Sequence, residues 1–114
     1  MRRAVGGGVC DGRRVISAAW IRRSWTPLTR SPYSGDAYGY GWFITGLDGA
    51  AAYYARGYGG QYLYVLPDRA LTLVITSDPM VHSRVDGYGA ALRALAEELV
   101  GAAAVPAASR WDMN

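Results

Sequence analysis

The chain has 114 residues, 51% of them hydrophobic and 18% charged, with a net charge of +3; that is one domain's worth of sequence with enough apolar surface to offset chain entropy, which excludes a disordered tail. All 12 basic residues are arginine, so no Schiff base, phosphate-loop lysine, Ser-Lys dyad or Lys-Thr-Gly strand can be built within this chain. A single cysteine, Cys10, rules out an internal disulfide, and with a single histidine, His82, it makes no zinc ligand set.

The N-terminal quarter carries Arg2-Arg3, Arg13-Arg14 and Arg22-Arg23, read as a solvated basic surface. The opening MRRAVGGGVCDG lacks the apolar core of a secretory leader. No apolar run approaches the roughly 18 residues of a membrane span. Gly6-Gly7-Gly8 is a poor helix interior. A short helix is predicted from Ser17, as N-cap, to Trp25, with Pro27 ending it. Residues 27–37 read as a surface loop.

From Tyr38 the pattern changes to alternation, which predicts a strand to about Thr45. Asp48-Gly49 marks a hairpin turn. Ala51–Arg56 is the return strand, Gly57-Tyr58-Gly59-Gly60 breaks it, and Gln61–Leu66 is the third strand. Pro67-Asp68-Arg69 is a tight turn. Ala70–Thr76 is a fourth strand, apolar enough for burial on both faces. Ser83-x-x-Asp86 is a capping box for a helix from about Asp86 to Ala103, with Leu92, Leu95, Ala96 and Leu99 at helical spacing and Val105-Pro106 as the stop. The expectation is an α+β fold, an antiparallel meander flanked by helices, over residues 1–104 with a frayed tail at 105–114.

Tyr54 to Gln61 is the stretch that points to chemistry. Glycines at 57, 59 and 60 permit backbone shapes that other residues resist and let a ligand approach the main chain. They read either as a glycine-rich β-corner or as a rim of backbone N–H groups facing a substrate. Arg56-Gly57-Tyr58-Gly59 begins like an RNA-binding signature, but Gly60 and Gln61 break it, so no nucleic-acid partner is expected. His82 near Asp78 and Ser83 reads as a turn and a cap, not a triad. Glu97 and Glu98 diverge by about 100° around a helix and read as solvent-facing.

Three segments together resemble the serine β-lactamase-related hydrolases, the penicillin-binding and class C β-lactamase-like family. They are Gly7–Trp20 (GGVCDGRRVISAAW), Tyr38–Trp42 (YGYGW) and Ala55–Asp78 (ARGYGGQYLYVLPDRALTLVITSD). The resemblance implies a partial β-lactamase/transpeptidase-like fold and a serine acyl-enzyme hydrolase acting on a small ester or amide, with no metal or other cofactor. It also implies that the nucleophile and lysine of a Ser-x-x-Lys helix, and the Tyr motif, belong to an N-terminal part of the same domain. This chain then matches the C-terminal portion and is inactive alone. In the preferred register Ala55-Arg56-Gly57 takes the place of Lys-Thr-Gly, and the Tyr58 N–H becomes an oxyanion donor. A register shifted by three, Tyr58-Gly59-Gly60, would hand that role to Gln61. Ala55, Arg56, Gly59 and Gln61 are then substrate-binding candidates, and Gly57 shares the catalytic corner with Tyr58. The lost cation fits the esterase and amidase branches better than β-lactam recognition. Without its N-terminal elements the sheet is expected to self-associate. The alternative from another class is a non-catalytic pairing module that uses an exposed sheet edge.

Overall fold

The computed structural model describes residues 7–81 and 87–103. The capping box at Ser83–Asp86, His82, the start of the second helix near Asp86, its stop at Val105-Pro106 and the tail all lie outside the described residues.

Strands β1 (Val9–Cys10) and β2 (Arg13–Arg14) form a small hairpin. Its Asp11-Gly12 turn has positive φ at both residues, 52° and 77°. These are the demands of a type I′ turn, which an Asp-Gly pair meets. Helix α1 (Ala18–Ser24) follows, and the Ser17 hydroxyl accepts from the Trp20 N–H at 3.1 Å, as its N-cap assignment requires.

The main sheet has six antiparallel strands in sequence order: β3 (Thr29–Arg30), β4 (Ala37–Tyr38), β5 (Phe43–Leu47), β6 (Ala50–Gly57), β7 (Gln61–Leu66) and β8 (Leu71–Ile75). Two expectations are corrected here. The predicted single strand from Tyr38 to Thr45 is folded back on itself as β4 and β5, closed by the Gly39 N–H donating to the Trp42 carbonyl at 2.8 Å. The physical reason is Gly39, where a Cβ would stand 2.3 Å from the Ser24 carbonyl oxygen; the backbone turns because it must pass directly against α1. The predicted loop at 27–37 contributes β3 and part of β4 to the sheet.

Helix α2 (Tyr88–Ala103) lies on one face of the sheet. Leu92, Ala96 and Val100 are its buried positions, and they pack with Leu47, Ala50, Ala52, Tyr54, Tyr64, Leu66 and Ile75. The small Ala50 and Ala52 let the helix approach β6. Leu95 and Leu99, read at helical spacing with Leu92 and Ala96, are 40% and 41% exposed, because the buried stripe advances in steps of four, from Leu92 to Val100. The other face receives the end of α1, where the C-cap residue Trp25 stacks on Tyr53 with ring centroids 4.1 Å apart and planes 5° from parallel.

Burial of β8 on both faces is also corrected. Leu71, Leu73 and Ile75 turn toward the core, whereas Thr72 and Val74 alternate outward, Val74 at 62% exposure. No helix among the described residues is long and apolar enough to cross a membrane.

Candidate active site

β6 pairs with β5 only as far as Tyr54, opposite Phe43, but pairs with β7 through Gly57, opposite Gln61. The last three residues of β6, Ala55, Arg56 and Gly57, therefore have a ladder partner on one side and an open edge on the other. Tyr58 follows directly, 69% exposed, at the start of the Tyr58–Gly60 loop.

The glycines of that loop are held by its packing. Gly59 and Gly60 have φ of 82° and 100°. A Cβ on Gly59 would stand 2.4 Å from the Pro79 Cα, and one on Gly60 would stand 2.8 Å from both the Ser77 Oγ and the Tyr88 ring. The loop is pressed onto the segment after β8 and onto the start of α2, a conformation and a closeness that only glycine accepts.

Gln61 locks this arrangement. Its Nε2 donates to the Ser77 carbonyl at 2.6 Å, and its Oε1 accepts from the Ser77 N–H at 3.2 Å. The Ser77 Oγ donates to the Gly60 carbonyl and accepts from the Tyr88 hydroxyl, each at 2.9 Å. The Gln61 amide is thus committed to positioning the loop. Ser77 and Tyr88, which hold the corner, carry no local sequence signal: a serine at a strand end and a tyrosine opening a helix look ordinary until the fold juxtaposes them.

The structure divides the site residues between two faces. Ala55 and Gly57 lie on the α1 face, and Arg56 lies on the α2 face opposite Tyr62. The Arg56 guanidinium sits 5.2 Å from the Phe43 ring centroid and makes no ion pair among the described residues. Beneath it runs an aromatic row. Phe43 stacks on Tyr54 at 5.0 Å, and Tyr54 meets Tyr64 at 5.0 Å. The Tyr54 hydroxyl donates to the Asp36 carboxylate at 2.6 Å. Burial, followed by that carboxylate, pushes the Tyr54 phenol well above its ordinary range. Burial pushes Tyr64 up to about 12, with the Arg93 charge opposing it.

This corner offers main-chain donors beside an exposed arginine. No cluster of three or more His, Cys, Asp or Glu side chains that could hold a metal ion exists among the described residues. A family model described as Beta-lactamase matches residues 8–98, and a search of curated proteins finds no match. The matched stretch runs from the β1–β2 hairpin through every strand of the main sheet into α2. With an antiparallel sheet, a C-terminal helix on one face and a glycine-bounded hairpin at the end of β6, the chain has a serine-hydrolase-related fold and belongs to the β-lactamase family.

Proposed function

We propose that this chain forms one wall of a serine acyl hydrolase active site, acting on a small ester or amide, with the Tyr58 N–H as one of two oxyanion donors. The observation that carries the reading is the open edge of β6 at Ala55–Gly57, which leads straight into an exposed Tyr58, whereas Gln61 already lies within the β6–β7 ladder, opposite Gly57. This supports the register in which Ala55-Arg56-Gly57 replaces Lys-Thr-Gly. In it a serine oxygen attacks the acyl carbonyl, the carbonyl oxygen takes up the negative charge, and the Tyr58 N–H donates to that oxygen. Such a donor is worth about 2.7–4 kcal/mol in the transition state. The second donor is the N–H of the nucleophile itself, on a Ser-x-x-Lys element outside this sequence, which contains no lysine. Ala55 lines the α1 side of the wall, Gly59 and Gln61 shape the loop, and Arg56 faces an anionic or carbonyl group of the substrate from the α2 side.

The test has two parts. The 114-residue chain alone releases no burst of nitrophenol from p-nitrophenyl butyrate. In a polypeptide that joins it to the Ser-x-x-Lys element, Tyr58→Ala keeps most of kcat. Tyr58→Pro, which removes the N–H, lowers it by about two to three orders of magnitude with the melting temperature unchanged. Equal loss in both variants would mean that the Tyr58 side chain is the working group. Full activity of both would move the donor to Gln61. A burst from the chain alone, blocked by a serine-directed phosphonate, would place a nucleophile within it. The alternative reading, a non-catalytic pairing module, needs no nucleophile and expects no hydrolysis in any of these forms.

A further inference from the structure

The Tyr58–Gly60 loop is three residues long, and one ladder pair, Gly57 opposite Gln61, fixes both of its ends. Only the φ and ψ torsions of a chain are soft. In so short a loop with fixed ends they cannot change independently, and the peptide planes turn together. An anchor on one peptide group therefore sets the direction of the others, including that of the Tyr58 N–H.

The anchored group is the Gly60 carbonyl. It lies 2.9 Å from the Ser77 Oγ, which in turn lies 2.9 Å from the Tyr88 hydroxyl. A carbonyl oxygen only accepts, so the one hydroxyl proton of Ser77 is spent on Gly60, and Tyr88 is the donor to Ser77. The order of donation, Tyr88 to Ser77 to Gly60, is thereby fixed, and bonds in such a chain polarise one another. The same tyrosine backs the loop with its ring: a Cβ on Gly60 would stand 2.8 Å from the Tyr88 ring and 3.0 Å from the Leu92 Cδ1. Tyr88 opens α2, which Leu92, Ala96 and Val100 seat on the core. The two hydroxyls thus tie a loop whose first residue is exposed to an element that is firmly packed.

We propose that Ser77 and Tyr88 are positioning residues for acyl transfer, orienting the Gly60 peptide and through it aiming the Tyr58 N–H at the oxyanion. The inference rests on the reading of Tyr58 as an oxyanion donor. Both side chains act through the loop, from behind it on the α2 side. A hydrogen bond weakens steeply as its angle departs from linear. The negative charge on the acyl oxygen develops only in the transition state, so a misaimed donor costs kcat and leaves KM nearly unchanged.

A double-mutant cycle tests this in the polypeptide that joins the chain to the Ser-x-x-Lys element, read as kcat and KM for p-nitrophenyl butyrate. Ser77→Ala is expected to lower kcat about tenfold with KM within about twofold. Tyr88→Phe keeps the ring against Gly60 and removes only the outer hydroxyl, so it lowers kcat about threefold. In the Tyr58→Pro background the N–H is already gone, and Ser77→Ala lowers kcat no further. A role confined to holding the fold together would instead lower kcat by the same factor in both backgrounds, and that result overturns the proposal. A Ser77→Ala enzyme with wild-type kcat, or with its loss confined to KM, overturns it as well. Wild-type kcat in Tyr88→Phe overturns the part given to Tyr88. Where Ser77→Ala does not fold, Tyr88→Phe carries the same cycle against Tyr58→Pro. Full kcat in Tyr58→Pro alone would sink the oxyanion reading, and this inference with it. The two failures are therefore told apart by that single variant.

Discussion

Strand β6 has a hairpin at each end, and the two hairpins use positive-φ residues for opposite purposes. At the β5–β6 turn, Asp48 and Gly49 have φ of 51° and 78°, and a Cβ on Gly49 would meet nothing within 4 Å. The turn is anchored from outside. Glu97 of α2 accepts from the Asp48 N–H at 2.6 Å, Arg69 donates to the Asp48 carbonyl at 2.7 Å, and Arg93 donates to the Gly46 carbonyl at 2.8 Å. At the β6–β7 loop Gly59 and Gly60 are half-buried and pressed against Pro79, Ser77 and Tyr88, while Tyr58 and Arg56 project into solvent. One end of the strand is tied down by side chains reaching in. The other is shaped by glycines pressed against their neighbours, which leaves Arg56 and Tyr58 exposed beside it. A corner held by backbone packing tolerates side-chain change poorly at its glycines and well at its exposed positions.

The sharpest way to break that contrast is to give both ends a methyl group. Gly60→Ala is expected to destabilise by about 3 kcal/mol or more, since strain at positive φ adds to overpacking against Ser77 and Tyr88. Gly49→Ala meets only the conformational term, about 1 kcal/mol. Urea denaturation of the two variants side by side checks this, and equal losses would show that the loop is not packed as described.

Gln61→Ala comes next. It leaves the Ser77 N–H and carbonyl without their partners in a half-buried site, at about 2 kcal/mol. Its signature is local: hydrogen exchange should accelerate at residues 58–61 and 77 before it changes in β5. Uniform acceleration across the sheet would contradict a loop-specific role.

Alkaline unfolding tests the aromatic row beneath Arg56. The folded Tyr64 phenol titrates at about 12 against an ordinary 10.0, and Tyr54 is raised as well. The folded chain therefore keeps protons that the unfolded chain has released. Stability from these groups is complete below about pH 10 and falls as pH rises toward the folded values, by at most about 1.4 kcal/mol per pH unit for each tyrosine. Denaturation midpoints measured from pH 9 to 12 should decline, and Tyr64→Phe should flatten the slope. A flat profile in the wild-type chain contradicts the burial of these phenols.

The smallest effect belongs to the anchored turn. Asp48→Asn keeps a residue that accepts positive φ and removes only the charge that Arg69 meets at 3.2 Å. That pair is partly exposed, so the loss should stay below about 1 kcal/mol and shrink with added salt. A larger loss, unaffected by salt, would mean that the turn depends on more than its backbone.

Much of this fold follows from local chemistry. Ser17 caps α1, Asp48-Gly49 turns the chain, Pro67-Asp68-Arg69 opens the β7–β8 connection, and the apolar run before Ser77 forms β8. The glycines at 57, 59 and 60 mark the break between β6 and β7, and so the candidate corner, because a loop that needs positive φ must spell it in residue type. Asp11-Gly12 spells a hairpin by the same rule as Asp48-Gly49.

What the tertiary structure decided is what long-range contact decides. The reversal between Tyr38 and Phe43 answers to the approach of the Ser24 carbonyl, from an element earlier in the chain, so alternation alone reads through it as one strand. The exposure of Leu95 and Leu99 depends on where α2 rests on Ala50 and Ala52. The separation of Arg56 from Ala55 and Gly57 follows from the pleat, but the ring beneath the guanidinium and the open edge beside it depend on where β5 stops pairing. Residue types determine which conformations a segment can adopt; which neighbours fill the space around it, and which edge stays open, is settled only when the strands meet.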